Sequence, residues 1–207
     1  YSGGYYIYTF LLILSSAGLP AAIGKMVSER LALKEYNNAH RVFRVSLFIS
    51  GTLGFICMMI LLIWAEPIAE LVNNPQSSYT LITLAPTLFI VAIMAVYRGY
   101  FQGMNTMIPT AISQIIEQIF NAVFSVYLAW VFVKKSVALG AAGGTAGTGI
   151  GAIAGLLVVW FAYWLVKPRL FKRMRRENPE IIQESSWDIA KILMKTALPI
   201  IIGSAIF

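Results

Sequence analysis

A chain of 207 residues that is 58% hydrophobic and 12% charged, with mean hydropathy +0.74, carries too few charges for a soluble domain, where roughly 25% is usual. The net charge of +7 does not point to nucleic acid, because the basic residues cluster at the ends of apolar runs instead of forming a stripe with interleaved aromatics. One cysteine (Cys57) and one histidine (His40) exclude an intramolecular disulfide, a Cys/His zinc cluster and a histidine-based catalytic triad within this chain.

Five full apolar spans and a shorter sixth are predicted at 5–23, 45–64, 81–97, 108–133, 137–166 and 196–207, which makes the fold class all-α, a polytopic transmembrane helix bundle. Gly18 and Pro20 interrupt the first span, and Pro86 lies inside the third. Basic residues fall in alternate connections. Lys25, Arg30, Lys34, Arg41 and Arg44 follow the first span, Arg98 follows the third, and eight more lie between Lys167 and Lys195. These are fourteen of the sixteen Lys and Arg residues, so the segments that hold them are predicted to be cytoplasmic. Lys134, Lys135, Glu66 and Glu70 fall on the outer side, as does Tyr1. An odd number of spans is then expected before Tyr1, and both ends read as cuts through a longer protein.

The fourth span carries the most informative pattern. At 100° per residue, Thr110, Gln114, Glu117, Gln118, Asn121 and Ser125 share one arc of about 100°, opposite Ile112, Ile115, Ile116, Ile119 and Phe120. The polar stripe is about 22 Å long, most of a ~30 Å hydrocarbon core. A carboxylate in lipid costs several kcal/mol, so Glu117 must face protein or a watery cavity. Either Glu117, Gln114, Gln118 and Asn121 line a cavity for substrate or a coupling ion, or they join helices by hydrogen bonds.

In the fifth span Gly143, Gly147, Gly151 and Gly155 recur every four residues, overlapping G-x-x-x-G patterns that let a neighbouring helix approach closely. The run Gly149-Ile150-Gly151-Ala152-Ile153-Ala154 matches a dinucleotide-binding pattern, but it has no preceding strand and is read as packing. In the polar connector that follows, Ser185 and Asp188 have capping-box spacing, which predicts a helix start there.

The stretches Ala17-Gly18-Leu19-Pro20-Ala21-Ala22-Ile23-Gly24-Lys25 and Tyr97-Arg98-Gly99-Tyr100-Phe101-Gln102-Gly103-Met104-Asn105, continuing to Gln114-Ile115-Ile116-Glu117-Gln118-Ile119, resemble the oligosaccharide-lipid flippases. These belong to the multidrug/oligosaccharidyl-lipid/polysaccharide superfamily, and the likeness is to the branch of stage V sporulation protein B and the lipid II flippases. It spans essentially the whole chain and is strongest from Tyr97 to Ile119. Where that branch often has a basic residue shortly after the Glu-Gln pair, this chain has Asn121.

The resemblance implies a fragment of a two-lobed transporter of twelve to fourteen helices. Residues 1–166 would be helices two to six of the first lobe, 167–195 a cytoplasmic inter-lobe connector, and 196–207 the start of helix seven. The implied function is a non-enzymatic flippase of the cytoplasmic membrane, monomeric when full length. It would move an undecaprenyl-pyrophosphate-linked saccharide, with lipid II as the candidate, by alternating access. Arg98 and Lys25 would attract pyrophosphate at the cytoplasmic mouth, unless they only anchor the helix ends by snorkelling. The alternative is a cation- or proton-coupled multidrug antiporter of the same superfamily, with Glu117 carrying the coupling ion. Neither reading requires a metal or cofactor beyond that cation or proton, and the expected partners are the lipid-linked substrate and the bilayer, with no nucleic acid.

Overall fold

A computed structural model describes residues 19–71, 77–177 and 181–206. Most of the first predicted span, 5–18, lies outside these residues, as does Phe207. The described residues form six helices and no strand. They are α1 (Leu19–Ala32), α2 (Tyr36–Leu71), α3 (Ser77–Gly103), α4 (Ile108–Val133), α5 (Val137–Met174) and α6 (Ser186–Ile206). Four of them, α2 to α5, contain stretches long and apolar enough to cross a bilayer. The fold is an all-α polytopic bundle.

The helices overrun the apolar spans, α5 at the basic end and α2 at both ends. α2 has 36 residues and α5 has 38, or about 54 and 57 Å of helix against a ~30 Å hydrocarbon core. The segment Lys25 to Arg44, read from its charge as a loop, is helical except at Leu33–Glu35. The reason is packing, since Ile23, Met26, Val27 and Arg30 recur at helical spacing and are all buried. His40 therefore lies on a helix, 8% exposed among the rings of Phe43, Tyr100 and Phe171.

Two turns have the same construction. Lys34 (φ 61°) follows α1, with Glu35 N–H donating to Arg30 O and Lys34 N–H to Leu31 O. Asn105 (φ 56°) follows α3, with Thr106 N–H donating to Phe101 O and Asn105 N–H to Gln102 O. Both are left-handed C-terminal caps that satisfy the last carbonyls of their helices. α4 then begins with Pro109 in its first turn, where the missing N–H leaves no carbonyl unpaired. Ser136 caps α5 by accepting from Leu139 N–H at 3.1 Å. Ser185 Oγ accepts from Trp187 N–H, so α6 starts ten residues ahead of the apolar run at Thr196.

The main core gathers α1, α2, α3, α5 and α6 around Phe43, Tyr97, Tyr100, Phe101 and Tyr163. α1 crosses α3 closely because Gly99 and Gly103 have no side chain. A Cβ on Gly103 would lie 2.6 Å from that of Val27, and one on Gly99 would lie 2.8 Å from Pro20 O. α4 packs chiefly on α5 and only lightly on α3. Its remaining faces are open, including Gln114, Gln118 and the isoleucine side.

Candidate functional site

Arg98 sits in the penultimate turn of α3, at a helical position short of the turn where its place in the sequence had put it. Its side chain crosses to α4. Nη2 donates to Glu117 Oε2 at 2.6 Å and to Ser113 Oγ at 2.7 Å, and Nε donates to the same hydroxyl at 3.2 Å. Ser113 Oγ in turn donates to the carbonyl oxygen of Gly155 on α5 at 3.0 Å. Three helices thus meet at one charge-assisted network. The Arg98 and Glu117 side chains are 14% and 18% exposed, largely removed from solvent but open on one side. Such a pair resists the loss of either partner, because the charge left behind has no counter-ion.

Gly155 makes the network possible. A Cβ there would lie 3.0 Å from Met94 Sδ and 3.2 Å from Glu117 Cβ. The other three glycines of the ladder line the same face of α5 against α4. A Cβ on Gly151 would meet Glu117 O at 2.7 Å and Asn121 Cβ at 3.0 Å, and one on Gly143 would meet Leu128 O at 2.7 Å. At Gly147 it would collide with Ser125. Small residues bring the helices together where the polar groups lie.

The stripe predicted on α4 is divided between two surroundings. Its Glu117 and Asn121 edge turns toward neighbouring helices. Asn121 Oδ1 accepts from Ser125 Oγ at 2.8 Å and from Thr148 Oγ1 at 3.3 Å, the latter on α5. Gln114 and Gln118 are exposed on the open side and do not join this network. Lys25, exposed on α1, is not brought to it either. Ser113 escaped the sequence reading because it lies 40° beyond the edge of the polar arc. An arc widened by 40° on that side would have included it.

A second polar network ties the connector to the α1–α2 turn. Arg30, 6% exposed, donates from Nη2 and Nε to Glu184 Oε2 at 2.6 and 3.1 Å. Asn38 Nδ2 donates to Ile182 O, and its Oδ1 accepts from Glu184 N–H. Asn37 donates to Glu177 Oε2 from both its backbone N–H and Nδ2, at 2.7 and 2.6 Å. Partners about 140 to 154 residues apart carry no local signature in the sequence.

Residues 1–203 match the family described as "Polysaccharide biosynthesis protein". The chain belongs to that family. Among its relatives, stage V sporulation protein B of Bacillus subtilis (strain 168) is 32% identical over 158 residues, 75% of this chain and 30% of the relative. The lipid II flippase MurJ of the same organism is 29% identical over 173 residues, 78% of this chain and 32% of the relative. An uncharacterized membrane protein of that organism, YabM, is 26% identical over 97% of this chain and 38% of its own length. The chain therefore spans about a third of the length of these curated relatives. No solved structure matches it. The relatives named stage V sporulation protein B and lipid II flippase MurJ are those of the branch that the motifs between Tyr97 and Ile119 resemble, and the Arg98–Glu117 pair lies inside that segment.

Proposed function

We propose that the full-length protein is a flippase of the cytoplasmic membrane that moves an undecaprenyl-pyrophosphate-linked saccharide, with lipid II as the candidate, by alternating access. The observation that carries this reading is the partly open Arg98–Glu117–Ser113 network inside a membrane-spanning segment, beside the exposed amides of Gln114 and Gln118. The task is to pass an anionic sugar headgroup across ~30 Å of hydrocarbon while its lipid tail stays in the bilayer. Amides suit sugar hydroxyls because each both donates and accepts. Arg98 supplies a fixed cation whose charge is balanced by Glu117 until a phosphate competes for the guanidinium. The name of one relative, a lipid II flippase, supports the substrate class.

The drug-antiporter alternative asks Glu117 to take up a proton or cation. Its Oε2 already accepts from Arg98, which favours the flippase reading. The test reconstitutes the full-length protein in liposomes and follows labelled lipid II by protection from a membrane-impermeant reagent. Protein-dependent exposure of internal label is expected, and a rate equal to that of protein-free liposomes would contradict the proposal.

A further inference from the structure

At the basic end, α2 and the start of α6 enclose a groove of about 740 Å³, and its lining is chemically divided. Arg41 and Arg44 stand at one end, while Val45, Phe48, Ile49 and Trp187 form the walls. The arginines keep their charge uncompensated. Arg41 Nη1 donates to the backbone carbonyl of Glu184 at 2.6 Å, which neutralises nothing. Arg44 is exposed and makes no hydrogen bond or ion pair among the described residues. Of the described connector carboxylates, Glu184 is engaged by Arg30 and Glu177 by Asn37, and Asp188, exposed in the first turn of α6, forms no ion pair with either arginine.

The depth of the groove decides its occupant. Arg44 immediately precedes the apolar run that begins at Val45, so the guanidinium end lies at headgroup level and the walls descend toward the hydrocarbon. Phe48 and Trp187 are 77% and 68% exposed beside it, large apolar faces at the height where aromatic side chains meet lipid. A soluble anion would leave those walls in water. An amphiphile fills both halves.

We propose that this groove binds an anionic phospholipid of the cytoplasmic leaflet, with its phosphate between Arg41 and Arg44 and one acyl chain along Val45, Phe48, Ile49 and Trp187. Guanidinium forks match phosphate oxygens, and the cytoplasmic leaflet is the expected location of this end of the protein. Because Arg41 also holds the Glu184 carbonyl, the bound lipid braces the joint between α2 and the connector.

The test uses the full-length protein in mixed phosphatidylglycerol and phosphatidylethanolamine, with retained lipids counted by native mass spectrometry and a photo-crosslinker placed at Phe48. Phosphatidylglycerol is expected to be retained in preference and to take the crosslink. Arg44→Gln should lower its retention about fivefold, the factor equivalent to ~1 kcal/mol per basic side chain at an anionic surface. Arg41→Gln with Arg44→Gln should lower it further. Crosslinking to another segment of the protein, retention unchanged in Arg44→Gln, or displacement of phosphatidylglycerol by undecaprenyl phosphate would each overturn the assignment. Retention is read without transport, so a failure of the flippase reading would leave this result standing.

Discussion

Arg98 and Glu117, 2.6 Å apart, are the principal polar bridge between α3 and α4, consecutive helices that otherwise touch little. Both ends of the bridge are largely shielded, so the pair is worth most as a pair. Arg98→Gln or Glu117→Gln alone should each destabilise the protein by about 2 kcal/mol, below the ~3–5 kcal/mol of a fully buried pair because this one is partly open. The double variant should recover most of that loss. Thermal unfolding in detergent, read as a double-mutant cycle, checks this, and strictly additive losses would mean that the two side chains do not depend on each other.

Gly155 controls the same site through space. Gly155→Ala places a methyl 3.2 Å from Glu117 Cβ and 3.0 Å from Met94 Sδ, so the neighbours must yield by a few tenths of an ångström. A mild loss of stability, under about 1.5 kcal/mol, is expected. Gly151→Leu should be far worse, because its Cβ would already be 2.7 Å from the backbone oxygen of Glu117. Monodispersity on size-exclusion chromatography should separate the two, and a well-behaved Gly151→Leu protein would remove the close-contact explanation.

The bundle was largely legible in the sequence, and its polar partners were not. Apolar run lengths located α2 to α5, and the α4 span coincides with the helix at both ends, because Pro109 and the Lys134–Lys135 pair mark its limits sharply. Charge alone misjudged the basic segments as loops. Ile23, Met26 and Val27 show that a helix leaving the membrane continues when one face still has a core to cover. The polar arc identified Glu117, but nothing local pairs it with Arg98, nineteen residues earlier and across a turn. Arg98 read equally as a phosphate contact at the cytoplasmic mouth and as a helix-end anchor, because it follows a long apolar run. The Asn105 cap instead brings α4 back beside α3 within reach of its guanidinium.

The Arg30–Glu184 pair should hold the connector in place. Glu184→Ala strands a guanidinium that is 6% exposed, with Met26 O as its remaining acceptor. Backbone amides of 181–185 should then exchange with deuterium at least tenfold faster, the factor for ~1.4 kcal/mol of local opening. Unchanged exchange would show that the Asn37 and Asn38 contacts suffice.

Single cysteines in a Cys57→Ser background test the orientation. Lys135→Cys, beyond the end of α4, should react with an impermeant maleimide added outside intact cells, and Ile182→Cys, 87% exposed in the connector, should react only after permeabilisation. The reverse pattern would invert the topology argued from fourteen of sixteen basic residues.

The lipid II protection assay on full-length Glu117→Gln, beside wild type, tests the central claim most directly. Gln keeps an oxygen for Arg98 but removes the balancing charge, so the variant should lose about 2 kcal/mol of stability yet still fold and insert. Its transport rate should fall about tenfold, equivalent to ~1.4 kcal/mol on the barrier. A Glu117→Gln protein that is folded, inserted and as fast as wild type would contradict the account and leave Glu117 as a joint between helices.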